Sequence, residues 1–324
     1  MRSLVLVFLG ASVCLAQATS SAPMLVGAGV SNPFPVAVAP GQVLTLFVQP
    51  PAAYYTTEPM PSIGAVYWNG SDEAMPILRV QQTTTGCSVP SSSGVCPNLL
   101  AVTVQVPFGA PIAPVAGSDI LVRPSGIAVF VSGEKSSYFG AQVLADQVHI
   151  VTACDALFSP TPIAQNSGGI PCAPMITHAD GSQVSVNNPA VAGEELVAYA
   201  TGLGQTNPPL TTGQPAAASS PTVVTVNLDF NYRPNALGTR PLPSASVPLF
   251  AGATQGYIGL YQINFIVPPT PAGLQPCAYA GVTPDVVTGV FSNLTVSVGS
   301  IFSFDGAGIC VQPSPVLDPP SPDE

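Results

Sequence analysis

Read for apolar and polar positions, this chain is a series of short apolar runs rather than a set of helical stripes. "VAPGQVLTLFVQPP" (38–51) and "AVAGEELVAYATGLG" (190–204) each place a Gly turn before a run that is alternating or continuous in apolar residues, the pattern of a buried strand. "LLAVTVQVPFGAP" (99–111) and "LYQINFIVPPTPAG" (260–273) share a second pattern built around Val-Pro. "SDILVRPSGIAVFVSGE" (118–134) and "SNLTVSVGSIFSF" (292–304) supply later strands. No stretch holds a 3.6-residue apolar period over three turns. "AVAGEEL" could begin a helix, but Val197, Tyr199 and Thr201 are strand formers, so a strand is expected there.

The runs form an internal repeat. Setting Gly41 on Gly193 brings Val106-Pro107 onto Val267-Pro268, with Gly-to-Pro intervals of 66 and 75 residues. Each copy reads as about seven short strands separated by Gly, Pro, Ser and Asn clusters, the spacing of an antiparallel sandwich. The expected fold class is therefore all-β, with two tandem sandwiches. The expected division is a leader at 1–18, a first sandwich at 19–152, a Pro/Gly-rich connector at 153–173, a second sandwich at 174–312 and a tail at 313–324. The tail, "PSPVLDPPSPDE", carries five prolines and three carboxylates and should be extended and disordered.

Composition supports short strands: 38 Pro and 30 Gly punctuate a chain that is 47% hydrophobic and 7% charged. The first residues, "MRSLVLVFLGASVCLAQATSS", read as an export signal, with Arg2, an apolar stretch from Leu4 to Leu15, and cleavage expected after Ala16 or Ala18. Lipidation at Cys14 is disfavoured by the bulk of Val13. No later segment reaches about 18 uninterrupted apolar residues, so no transmembrane segment is expected in the mature chain. The product is expected to be secreted, periplasmic or held at the cell surface. Loss of Arg2 leaves five basic against sixteen acidic residues. A surface of that sign repels phosphate backbones, which argues against nucleic-acid partners. Export leaves six cysteines, Cys87, Cys96, Cys154, Cys172, Cys277 and Cys310. Fifteen pairings are possible; the chain order suggests the local ones, 87 with 96, 154 with 172 and 277 with 310. The tight Cys-x-x-Cys or Cys/His spacing of zinc sites is missing.

Three blocks of the second copy carry a family likeness: "HADGSQVSVNNPAVAGEELVAYATGLGQTNPP" (178–209), "VPLFAGATQGYIGLYQINFIVP" (247–268) and "SNLTVSV" (292–298). They resemble the uncharacterised C-terminal domain family of exported acidobacterial proteins of the Solibacter type. The likeness is strongest over 174–312 and weaker over 30–150. The family pattern runs Asn-Ala-Asp-Gly-Ser, Pro-Gly, Tyr-Ala-Thr-Gly-Leu-Gly and Gly-Leu-Tyr-Gln-Val-Asn; here His178 stands for its Asn and Ala192-Gly193 for its Pro-Gly. The resemblance implies an exported Ig-like β-sandwich module with no assigned activity.

Candidate chemistry is sparse. Thr201-Gly202-Leu203-Gly204 suggests a phosphate loop, yet no Lys follows Gly204, and Pro208-Pro209 opposes the helix that would offer its N-terminus to an anion. The glycines read instead as a strand end. His149 lies in an apolar strand, "DQVHIVT", and reads as an edge or satisfied histidine; His178 and Asp180 could join a distant Ser, although Asp-Gly commonly just forms a turn. The paired carboxylates Asp72-Glu73 and Glu194-Glu195 are adjacent, so on a strand they face opposite ways and do not make a glycosidase pair. "NGSDE" (69–73) could offer oxygens to Ca²⁺ but lacks the spaced Asp-x-Asp pattern. Lys135 is the chain's only lysine, which leaves a Lys–Asn cross-link unsupported. Tyr54, Tyr55, Tyr67 and Trp68 form the remaining candidate, a ligand platform beside Glu58, Asp72 and Glu73, with one of the neighbours Tyr67 and Trp68 expected to point into the core. No cofactor is expected. The expectation is a non-enzymatic structural or interaction protein whose partner is another extracellular protein or a polysaccharide. The alternatives are a carbohydrate-binding protein using the Tyr54–Trp68 region and, behind it, a hydrolase with a dispersed site.

Overall fold

The computed structural model describes residues 22–29, 37–51, 61–83, 99–112, 125–153, 155, 173–230, 232, 246–274, 278–279, 287–288, 293–299 and 303–313. Among these, every regular element is a strand, and the protein is all-β. The first nine strands are β1 (Met24–Gly29), β2 (Val43–Gln49), β3 (Ile63–Trp68), β4 (Asp72–Ala74), β5 (Ile77–Thr83), β6 (Leu99–Gln105), β7 (Gly126–Val131), β8 (Glu134–Lys135) and β9 (Phe139–Gly140). They form two antiparallel sheets. One has the order β1-β2-β6-β5, and the other β4-β3-β7-β8 with β9 also on β7. Leu44, Leu46, Val48, Val102 and Val104 of the first sheet share a core with Ala65, Tyr67, Ile127, Val129 and Val131 of the second.

The later strands are β10 (His149–Ile150), β11 (Ile176–His178), β12 (Glu195–Thr201), β13 (Ser220–Pro221), β14 (Val226–Phe230), β15 (Phe250–Ala253), β16 (Tyr261–Ile266), β17 (Ala278–Tyr279), β18 (Val287–Thr288), β19 (Leu294–Val298) and β20 (Ser303–Ala307). One sheet runs β10-β12-β16-β15-β13 with β11 also on β12; another runs β14-β19-β20; β17 and β18 pair with each other. Leu196, Ala198, Ile263 and Phe265 meet Leu228, Leu294, Val296 and Val298 in a second core.

The repeat read from the sequence is also a repeat of hydrogen bonds. Gly41 donates its N–H to Val106 O at 2.9 Å, and Gly193 donates to Val267 O at 2.8 Å; in return Val106 N–H reaches Gln42 O and Val267 N–H reaches Glu194 O. Both glycines hold a positive φ, 76° and 87°, which explains why Gly stands at each turn. Three residues before each, Val38 forms a parallel bridge to Val143 and Ala190 one to Val311. The strands that follow differ. β12 alternates buried with more accessible positions as far as Ala200, whereas six of the seven residues of β2 are buried, because the outer face of β2 and β6 is covered as well.

Part of that cover comes from the second half of the chain. The fully buried Gln105 donates Nε2–H to Gly41 O at 3.1 Å and accepts Gly213 N–H on Oε1 at 2.7 Å. Gln42, also buried, accepts Ala39 N–H and donates to Gln147 O, while Phe108 N–H bonds Thr212 Oγ1 at 3.0 Å. Gly259 lies so close that an added Cβ would fall 2.7 Å from Gly41 O and 2.5 Å from Val43 Cγ2. Between Val143 of the first core and Val148 of the second lie only residues 144–147. The hand-over thus precedes the boundary expected at 152. His149 and Ile150 are zipped onto Thr201 and Ala200 of β12, and a short apolar run cannot signal which of two sheets will take it.

Candidate functional site

Strand alternation separates the two aromatic neighbours of β3. Ala65 and Tyr67 face the first core; Tyr67 is 2% exposed, and burial raises its phenol pKa. Trp68 turns to the outer face of the β4-β3-β7-β8 sheet. There it meets Tyr138, ring centroids 5.6 Å apart and planes inclined by 44°. Tyr54 and Tyr55 lie outside the described residues. The surface aromatic group is therefore Trp68 with Tyr138, and it is tilted rather than coplanar.

Tyr138 reaches Trp68 through β7 and its hairpin. β7 pairs with β3, bringing Gly126 opposite Trp68, and Ser132-Gly133 turn the chain so that Lys135 pairs with Phe130. The Lys135 ammonium lies 4.3 Å from the Tyr138 ring centroid and 5.4 Å from that of Phe130, a cation–π geometry. Asp72 Oδ2 accepts from Lys135 and Oδ1 from Tyr138 Oη, both at 2.6 Å. Lys135 also hydrogen-bonds the Tyr138 hydroxyl. These bonds, Lys135 first and Tyr138 second, hold the Asp72 carboxyl below its ordinary pKa, and the same contacts raise the Lys135 ammonium. The floor beneath is small: Ala128 is fully buried, the Phe130 ring lies against Gly64, and the Tyr138 side chain lies against Gly126.

Both histidines of the chain are held on two sides. His149 sets Nε2 2.9 Å from Asp155 Oδ2 and Nδ1 3.2 Å from Asp305 Oδ2. Asp155 is fully buried and also accepts Thr152 N–H and Thr152 Oγ1–H; Asp305 also accepts Ile150 N–H at 2.8 Å. Burial opposes charge on this imidazole, but hydrogen bonds and charge from both aspartates outweigh it and push the pKa up to about 9. His149 is an imidazolium bridging two carboxylates. His178 places Nδ1 3.1 Å from Glu194 Oε2 and Nε2 3.2 Å from Asn188 O. Burial again opposes charge there, and the bonds to Glu194 and Asn188 raise the pKa despite it. Asp180 accepts N–H and Oγ–H of Ser182, so the Asp-Gly pair does form a turn. With both ring nitrogens engaged, neither imidazole offers a lone pair to a nearby hydroxyl, which a hydrolytic triad needs.

The remaining candidates have structural roles. β12 ends at Thr201, and Gly202 and Gly204 let the chain approach residues 145–147: an added Cβ would fall 1.9 Å from Gln147 O and 2.7 Å from Ala145 O. The space a phosphate would need is filled by backbone. Glu194 caps Val191 N–H and holds His178, whereas Glu195 accepts from Asn264 Nδ2, so the two carboxylates serve different partners. Asp72 is engaged by Lys135 and Tyr138. No cluster of three or more His, Cys, Asp or Glu among the described residues could hold a metal ion. No described helix is long and apolar enough to cross a membrane. Cys310 is buried; Cys87, Cys96, Cys154, Cys172 and Cys277 lie outside the described residues. A cavity of about 450 Å³ opens between β14 and β16, floored by Leu228 and Phe265 and rimmed by exposed Val247, Leu249 and Ile266. No protein-family model and no curated protein matches the chain.

Proposed function

We propose that this chain is an exported, non-enzymatic structural or interaction protein made of two Ig-like sandwiches of the Solibacter C-terminal type, held as one stiff body outside the cell. The carrying observation is the junction. The buried amides of Gln42 and Gln105 spend their hydrogen bonds on backbone at the meeting of the two halves, and Gly202 and Gly259 admit contacts that no other residue would allow. Opening the junction would exchange these hydrogen bonds for bonds to water, at about 0.5–1.5 kcal/mol each, and would uncover the close apolar contact of Val43 with Gly259. The engaged state of both histidines supports the non-enzymatic half of the reading, and the leader supports export.

Small-angle scattering and limited proteolysis of the mature chain test it. A single rigid envelope that resists cleavage at 144–147 is expected, with Gln105→Ala loosening both. Independent tumbling of two halves would reject the stiff body. A hydrolytic turnover abolished by His149→Gln or His178→Gln would reject the non-enzymatic reading.

A further inference from the structure

The outer face around Trp68 and Tyr138 has properties that a folded core does not require. Tyr138 is 44% exposed although its ring is fixed by Asp72 at the hydroxyl and by Lys135 over the face. An exposed ring ordinarily gives up rotational freedom when a ligand docks; here that freedom is already spent. The polar groups beside the rings are mostly acceptors. Each Asp72 oxygen accepts one described bond, and a carboxylate offers about four lone-pair sites, so acceptor capacity remains. Asn69 and the exposed Ser71 stand on the turn that joins Trp68 to Asp72. The only lysine of the chain is already paired with Asp72, and the chain as a whole is acidic, with sixteen Asp and Glu against six Lys and Arg.

A matching ligand must bring an apolar face for the rings and several hydroxyl donors for the acceptors, and it must carry no negative charge. We propose that the Trp68–Tyr138 face binds an uncharged polysaccharide, one sugar laid by its C–H face on the exposed surface of the ring pair and its hydroxyls donated to Asp72. The net charge of −10 repels anionic polysaccharides and the phosphates of nucleic acid. The site differs from a Tyr54–Trp68 platform in both membership and shape: Tyr67 is in the core, and Tyr138 takes the place of the second ring.

Trp68 is the only tryptophan, so its fluorescence reports the face directly. The mature chain is titrated with soluble fragments of neutral β-glucan, xylan and mannan, and with polygalacturonate as the charged counterpart. A saturable change in Trp68 emission with at least one neutral fragment and none with polygalacturonate is expected. Tyr138→Ala should weaken it by about 2- to 10-fold, the worth of one aromatic contact, whereas Tyr138→Phe should retain the stacking. Melting curves of both variants check that the sheet persists. Three results would overturn the proposal: no saturable response to any neutral fragment, equal affinity in a folded Tyr138→Ala, or a response that follows protein concentration without saccharide, which would mark the face as a contact between two copies. None of these bears on the stiffness of the junction, so the two readings fail separately.

Discussion

Raising the pH should remove stability through one imidazole. In the unfolded chain His149 titrates near 6.5; in the fold its pKa is about 9, because Asp155 and Asp305 flank it. A raised folded value stabilises fully below pH 6.5, and that contribution is lost as the pH climbs through about 9. At roughly 1.4 kcal/mol per pH unit the gap corresponds to about 3 kcal/mol; the imidazole is 20% exposed, so solvent trims this to about 2–3 kcal/mol. Urea unfolding at pH 6 and pH 10 measures it. Tyrosine, lysine and His178 also titrate in or near this window, so the decisive quantity is the difference between wild type and His149→Gln. The variant should be less stable at pH 6 by about 3–5 kcal/mol, since two carboxylates lose their counter-charge, and should have a flatter dependence on pH. Equal pH slopes in the two proteins would refute the bridging imidazolium.

Gly202→Ala should destabilise by about 2–4 kcal/mol, because its Cβ would meet Gln147 O, whereas Gly256→Ala, at a similar φ but in open space, should cost about 1 kcal/mol; equal thermal shifts would count against the close approach. Tyr67→Ala empties core volume and should cost about 3–5 kcal/mol, while Trp68→Ala on the outer face should cost about 1–2 kcal/mol; the reverse order in denaturant melts would invert the assignment of faces. Thr152 bridges Pro174, with Ala153 N–H on Ala173 O and Met175 N–H on Val151 O. Chain order pairs Cys154 with Cys172, so non-reducing peptide mapping should return that pair, and either cysteine linked elsewhere would defeat it.

What could be read from the sequence was local. A positive φ at Gly41 and Gly193 and the Val-Pro that answers each leave marks within a few residues, and the hydrogen bonds at these positions coincide in the two halves. Alternation on β3 correctly required one of Tyr67 and Trp68 to face inward. The groups that complete the surface and buried clusters could not be seen in this way. Tyr138 bonds Asp72 from 66 residues away, and Asp305 accepts from Ile150 across 155 residues. Such partners are chosen by which strands meet, here β3 with β7 and β10 with β20. The point where the chain leaves one sheet for the next was hidden for the same reason. Val148 and Ile150 are as apolar as the strands on either side, and only their bonds to Ser303 and Asp305 of β20, with the pairing of His149 and Ile150 to β12, assign them.

The parallel bridges Val38–Val143 and Ala190–Val311 have a mechanical consequence. Each joins a segment near the start of a unit to one near its end, and the two run in the same direction. Tension along the chain pulls these segments from opposite ends, so the bonds across them, among them Ala190 N–H to Cys310 O and Gln312 N–H to Ala190 O, are loaded in shear and share the force. A hairpin pulled at its open end would instead break one bond at a time. Rupture under load is governed by the unfolding barrier rather than by equilibrium stability. Stretching the molecule between its termini should give high rupture forces even under conditions in which its stability toward urea is modest.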